Sequence, residues 1–187
     1  NRALLEGVET LPGVTLRDLY EIYPDFNIDT ARERELLASH DVIVWHFPFY
    51  LYSAPALLKQ WMDWVLEHGW AHGTQTLALK GKTALVALTL GGTRSAYEPG
   101  GYHRFTLREF LVPFEQTAGL CRMTWIPPFA VHGTYLLTGD QLAWQASQYR
   151  LLLDGLTSGR ITRDISINYE YLNDWLTAGE EGDKVQP

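Results

Sequence analysis

The chain has little of what secreted, membrane-spanning or nucleic-acid-binding proteins rely on. Among 187 residues there is one cysteine, Cys121. No internal disulfide can therefore form, which fits a reducing compartment. Basic residues are scattered and form no run: Lys and Arg total 15 against 22 Asp and Glu, for a formal net charge of -7. Phosphate contacts need clustered positive charge, so a nucleic-acid partner is not expected. No apolar stretch approaches the ~20 residues that span a bilayer. The longest, Thr83 to Leu90, has strand length and carries two threonines. No signal-peptide pattern opens the sequence. The catalytic signatures HExxH, GxSxG, GxGxxG and the P-loop are all missing. The six histidines show no close metal spacing, so no metal site is expected.

What is present is a normal globular composition. Hydrophobic residues make up 46% and charged residues 20%, enough for one domain with a full core. The opening Asn-Arg-Ala-Leu-Leu-Glu reads as the inside of a helix without a cap. We therefore expect a strand and its loop ahead of Asn1.

The periodicity then alternates. Residues 1–9 read as a helix tail and Val14–Tyr20 as a half-buried strand. Thr30 with Glu33 forms a capping-box pattern for a helix to about Ser39. Asp41–Phe47 is a short apolar run suited to a strand buried on both faces. Pro55 opens a helix with Leu57, Leu58, Trp61, Val65 and Leu66 on one face, ending near Gly69. Thr83–Leu90 is the next strand. Phe105–Ala118 reads as a helix kinked at Pro113. Met123–Ile126 resumes as a strand, followed by Pro127-Pro128 and Phe129–His132. Thr138 and Gln141 open a long helix to Leu156. Alternation of this kind predicts an α/β fold, a doubly wound parallel sheet with helices on both faces. The expected domain spans residues 1–160, with residues 161–187 as a polar C-terminal extension.

In such sheets ligands bind outside the carboxyl ends of the strands. Three loops start there or nearby. Phe47-Pro48-Phe49-Tyr50-Leu51-Tyr52 packs four aromatics into six residues. They suit a platform for a flat aromatic ligand, or equally a loop tucked under a helix or into a subunit interface. Thr89-Leu90-Gly91-Gly92 lets backbone N–H groups approach a ligand closely, although paired glycines more often only turn the chain. Tyr97 and His103 place a phenol and an imidazole where both can reach one developing negative charge. Read alone, they are a surface Tyr and a surface His. Cys121, between Leu120 and Arg122, is better read as a small buried residue than as a nucleophile.

Taken together, these loops resemble the flavodoxin-like NAD(P)H:quinone oxidoreductases. The resemblance runs from Asp41 to about Tyr135. It rests on Phe47 to Lys59, on Thr89 to Gly92, on Tyr97 and His103, and on Trp125-Ile126-Pro127-Pro128-Phe129. Trp70-Ala71 and Pro127 to Ala130 are most similar to the branch of bacterial flavoproteins ancillary to glutathione-gated potassium efflux systems. The resemblance implies a flavin, FMN by likeness to that branch and FAD as the alternative, with NAD(P)H as substrate and a quinone as acceptor. Phe47, Pro48, Phe49, Tyr50, Leu51 and Tyr52 would lie along the isoalloxazine ring. Thr89, Leu90, Gly91 and Gly92 would offer backbone N–H groups to its pyrimidine end. Tyr97 and His103 match the catalytic pair, Tyr97 also touching the cofactor. Trp70 and His72 would line the substrate cavity. Asn1 would be the last residue of the phosphate-binding loop. The likeness further implies a cytoplasmic homodimer with a site at each interface, held near the inner membrane if a potassium efflux protein is its partner.

Four readings follow: a two-electron quinone reductase with ping-pong kinetics, a regulatory subunit of a potassium efflux protein, a one-electron carrier like flavodoxin, and a domain that has lost its flavin and binds protein only. The Tyr97 and His103 loop favours the first over the simple carrier, which does not need such a pair.

Overall fold

The structure is a computed structural model that describes residues 1–74, 77–162, 164 and 168–183. Part of the predicted loop from Trp70 to Lys82 and part of the predicted C-terminal extension lie outside these residues. The elements in chain order are α1 (Leu19–Ile22), α2 (Thr30–Ser39), β1 (Val42–Pro48), α3 (Ala56–Val65), β2 (Thr83–Thr89), α4 (Leu107–Phe110), α5 (Val112–Leu120), β3 (Thr124–Trp125), β4 (Phe129–Val131), α6 (Gly139–Thr157) and α7 (Leu172–Asp183).

The sheet is parallel throughout. β1 pairs with β2 from Val42 opposite Thr83 to Pro48 opposite Thr89. The far edge of β2 is shared, with β3 beside its start and β4 beside its end. β3 and β4 are thus one strand path, interrupted where Pro127 and Pro128 supply no N–H to the ladder. The path re-engages through the Leu90 N–H, which donates to the Val131 carbonyl at 2.9 Å.

Period-two alternation sends side chains to two cores. Ile43, Trp45, Phe47, Ala84, Val86 and Leu88 face α3 and α5. Leu85, Ala87, Phe129 and Val131 face α6. Helices thus cover both faces, as a βαβ alternation requires, and the predicted fold class is the one observed.

Several local readings differ. The predicted strand Val14–Tyr20 is not a strand: it is unpaired up to Asp18, whose carboxylate caps the short α1 by accepting from the Tyr20 and Glu21 N–H groups. It pairs with no strand among the described residues: the second edge of β1 also has no strand partner among them, and a cleft of about 1160 Å³ is lined by both β1 and Val14 to Asp18. The predicted helix tail at residues 1–9 is two 3-10 turns. The predicted capping box at Thr30 is replaced by Asp29, which accepts from the Arg32 N–H. Glu33 instead turns inward, 3% exposed, and accepts from Arg17 at 2.5 Å, Tyr23 at 2.8 Å and Trp61 at 3.0 Å. Three donors offset the cost of burying that charge. The predicted Phe105–Ala118 helix breaks at Leu111 into α4 and α5, with Pro113 in the first turn of α5. The Thr138 and Gln141 capping box forms as predicted.

The sequence predicts a polar C-terminal extension over residues 161–187, yet its described part packs onto the domain. Ile161, Tyr171, Leu172 and Leu176 are buried, Leu172 to 0% exposure. The Leu172 N–H donates to the Pro128 carbonyl at 2.9 Å, and Asn173 Oδ1 accepts from the Ala130 N–H at 2.8 Å. Sparse apolar residues at these positions are enough to close the second core against α6.

Candidate functional site

Three loop segments lie at the carboxyl end of the sheet, one after β1 and two in succession after β2, because all strands run the same way.

The first loop keeps the sheet going for one residue, with the Phe49 N–H donating to the Thr89 carbonyl at 2.9 Å. Tyr50 and Ser53 then exchange two backbone hydrogen bonds at 3.1 and 3.0 Å. The residues between them, Leu51 and Tyr52, have φ of 45° and 66°. Non-glycine residues resist this left-handed region, and the strain they store is typical of ligand-facing loops. The turn throws Leu51 outward, 92% exposed, with Tyr50 and Tyr52 exposed beside it. Phe47 and Phe49 go the other way. Phe47 stacks on Phe114 at 5.1 Å, and Phe49 meets the edges of Tyr97 and Phe110. Of the six residues from Phe47 to Tyr52, these two thus place their side chains in the core.

The second loop follows β2. Thr89 and Leu90 are buried, and Asn1 Nδ2 donates to Thr89 Oγ1 at 3.4 Å. Asn1 Oδ1 also meets His46 Nε2 at 3.0 Å. A Cβ built on Gly92 would stand 2.9 Å from both Tyr97 Cε2 and His103 Nε2. A Cβ on Gly91 would stand 2.4 Å from the Tyr135 ring. Among the described residues, none accepts from the Gly91 or Gly92 N–H groups. Two donors are thus free beside two glycines, a cradle shaped for an acceptor edge.

The third loop carries Tyr97 at the end of a 3-10 turn from Arg94. The His103 N–H donates back to the Ala96 carbonyl at 2.9 Å, folding His103 onto Tyr97. Their rings stack at 4.3 Å with 29° between planes. Tyr52 meets His103 edge-on at 5.5 Å and stacks on Phe110 at 5.2 Å, so the first and third loops share one aromatic cluster. Burial first, then the neighbouring Tyr52, pushes the Tyr97 phenol above its ordinary range. It therefore stays a donor at neutral pH. His103 Nδ1 is buried without a hydrogen-bond partner among the described residues, so this ring still has bonding capacity to offer.

The predicted substrate residues stand apart from this cluster. α3 runs back toward the amino end of the sheet. At its far end Arg34 sits over the Trp70 ring at 5.4 Å, and His72 meets His68 at 5.4 Å.

Four residues that the sequence did not single out join the site. Phe110, one turn into α4, supports Tyr52; the Thr106 and Glu109 capping box that starts α4 was its available signal. His132 lies 5.8 Å from Tyr97. Burial first, and the Arg94 charge second, hold its pKa down at about 4. Arg94 opens the turn that ends at Tyr97, and Tyr171 meets it from the C-terminal segment, with no local pattern to announce either. Among the described residues, no group of three or more His, Cys, Asp or Glu side chains is placed to hold a metal ion, and no helix is long and apolar enough to cross a membrane. Cys121 is buried, and burial raises its thiol pKa to about 11, so it is not activated as a nucleophile.

The free donors at the glycine pair, the exposed apolar turn and the stacked phenol and imidazole together fit a flat ring system with a polar, electron-accepting edge. Comparison with known proteins points the same way. Residues 1–152 match the family model described as having a flavodoxin-like fold. The glutathione-regulated potassium-efflux system ancillary protein KefF of Klebsiella aerogenes is 45% identical over 150 residues, 80% of this chain and 84% of the relative. General stress protein 14 of Treponema denticola, solved in complex with FMN, is 37% identical with a TM-score of 0.79, covering 83% of this chain and 89% of that one. A P. pentosaceus protein described as an NADPH-quinone reductase is 32% identical with a TM-score of 0.71, covering 81% and 86%. A parallel sheet with helices on both faces, matched over most of its length by such relatives, establishes that this chain belongs to the flavodoxin-like family.

Proposed function

We propose that the chain is a flavin-dependent NAD(P)H:quinone oxidoreductase with FMN as its cofactor. The observation that carries this reading is the Tyr97 and His103 stack against the Gly92 backbone. The FMN-containing relative and the relative described as an NADPH-quinone reductase support it. A bound flavin supplies the redox chemistry, taking hydride from NAD(P)H and passing two electrons to a quinone.

The protein's part is binding and electrostatics. The Gly91 and Gly92 N–H groups would hold the ring's polar edge. The Tyr97 phenol and the His103 imidazole would stabilise negative charge, and its proton, beside them. Their fixed positions avoid the reorganisation that water would need. Tyr50, Leu51 and Tyr52 cover an apolar face and exclude water, with Phe110 behind Tyr52. One site would serve NAD(P)H and quinone in turn, which would give ping-pong kinetics.

Exposed apolar side chains gather near the cluster, including Leu51, Tyr102, Phe105, Tyr135 and Leu136. A patch of this kind marks an interface. The reading is a homodimer in which Trp70 and His72 of each protomer line the site of the other, since both stand away from their own Tyr97. The likeness to KefF favours a second, compatible role as a cytoplasmic ancillary subunit of a potassium efflux protein.

The test is the visible spectrum of the purified protein before and after anaerobic NADPH. Flavin bands that bleach and return on adding a quinone support the reductase. A colourless protein that cannot be reconstituted with FMN or FAD removes it and leaves the partner-binding role. Gradual one-electron bleaching that quinone does not reverse would instead indicate a carrier.

A further inference from the structure

The segment that holds Tyr97 and His103 is poorly tied to the rest of the protein by its backbone. From Thr93 to Arg104 the main-chain N–H groups that bond to main chain do so within the loop: Ala96 to Thr93, Gly101 to Glu98, His103 to Ala96 and Arg104 to Gly101. Such bonds fix the loop's shape and leave its position against the sheet undetermined. One long polar side chain reaches out of it. Arg94, first residue of the turn that ends at Tyr97, donates to Asp174 Oδ1 at 2.7 Å and Oδ2 at 2.9 Å, and to Glu170 Oε2 at 2.8 Å. Its guanidinium lies 4.5 Å from the centroid of Tyr171. A two-pronged carboxylate grip, a second carboxylate and an aromatic face set the orientation of a planar cation, which a single surface ion pair does not.

The far side of this grip is anchored. Tyr171 and Leu172 are buried, and the Leu172 N–H and Asn173 side chain bond to Pro128 and Ala130 of the sheet. A run of ring contacts also leads inward, from Tyr171 to His132 at 5.3 Å, from His132 to Tyr97 at 5.8 Å, and from Tyr97 to His103 at 4.3 Å. The Gly133 N–H, next to His132, donates to the Gly92 carbonyl at 2.9 Å, so the same contacts border the glycine cradle.

We propose that Arg94 is a positioning residue for the Tyr97 and His103 pair, and that Glu170 to Asp174 form a clasp that locks the pair against the sheet. The positioning role in turnover rests on the reductase reading; the clasp itself does not. Arg94 touches no reacting atom and acts through the turn it begins.

The experiment uses the full chain as isolated, in wild-type form and as R94A, R94K and D174N. Backbone amide exchange is measured first. In R94A the Ala96, Gly101, His103 and Arg104 amides should exchange about tenfold faster while β2 amides are unchanged, because only a sub-global opening becomes easier. D174N should move the same amides less, and R94K should restore part of the protection. With NADPH, R94A should reduce bound flavin about tenfold more slowly at unchanged KM, since a small misplacement of charge-holding groups costs rate rather than binding. Loop amides that exchange as in wild type would overturn the clasp. So would a uniform rise across β2, which makes Arg94 a general stabiliser. If wild type itself fails to bleach, the reductase reading falls and the exchange data still decide the clasp.

Discussion

Tyr97 and His103 stack with their centroids 4.3 Å apart, and each has an atom 2.9 Å from where a Cβ on Gly92 would sit. The pair therefore leans on bare backbone, with no room for a side chain between ring and main chain. That contact joins the two loops that were read separately in the sequence, and it orders the expectations for mutants.

His103→Ala should slow flavin reduction by about 100-fold with flavin still bound, the range for removing a positioned charge-stabilising group. Tyr97→Phe should cost about tenfold, because His103 continues to hold the charge. Stopped-flow reduction by NADPH measures both. Wild-type rates in His103→Ala would take His103 out of this role.

The two glycines should respond differently. Gly92→Val drives a branched side chain into both the Tyr97 and His103 rings, which are held by Phe110, Tyr52 and His132. Flavin should be lost on gel filtration. Gly91→Ala first meets the ring of Tyr135, which is 88% exposed and free to turn away. That variant should keep its flavin, and equal loss in both would show that backbone flexibility, rather than steric room, is what matters.

The Leu51 and Tyr52 turn stores strain in two left-handed residues. Replacing them with Asn-Gly, the pair that primed two-residue turns prefer, should stabilise the flavin-free protein by about 1 kcal/mol. It should also weaken flavin binding, because the apolar cover is gone. Urea unfolding and a flavin titration read the two effects. A less stable apoprotein would show that the turn is not strained.

His46 on β1 is hydrogen-bonded on either side of its ring, Nδ1 with the Tyr149 hydroxyl and Nε2 with the accepting Asn1 Oδ1, each at 3.0 Å. Burial, its largest influence, lowers its pKa from 6.5 to about 4. The unfolded chain thus binds the extra proton first as pH falls, so stability is complete above pH ~6.5 and drains away toward pH ~4. At pH 5 this one group should cost about 2 kcal/mol relative to neutral pH. Denaturant melts of wild type and His46→Gln at both pH values test it: the variant should lose that part of the slope, and identical slopes would discard it.

The parallel α/β order was legible because it is written in local periodicity. Ile43, Trp45 and Phe47 alternate with Val42, Val44 and His46, and Thr138 with Gln141 marks a helix start that needs no distant partner. The loops were legible because strands in such a sheet end on one side, so Tyr50 to Tyr52, Gly91 and Gly92, and Tyr97 with His103 had to gather there. Long-range pairing could not be read. Whether Val14–Tyr20 becomes a strand depends on an edge it does not itself contain. Glu33 looked like a capping residue until Arg17, Tyr23 and Trp61 surrounded it. Phe47 and Phe49 shared a motif with Tyr50 and Tyr52, and only packing against Phe114 and Phe110 sent them inward. Arg94 gave no signal at all, because its partners Glu170 and Asp174 are distant in sequence and meet it only once Leu172 is buried. The sequence by itself determined the α/β alternation and the loops that gather at one end of the sheet, since both follow from short-range pattern. The tertiary structure alone decided which side chains face the site and what holds them, since burial and charge pairing depend on residues far apart in the chain.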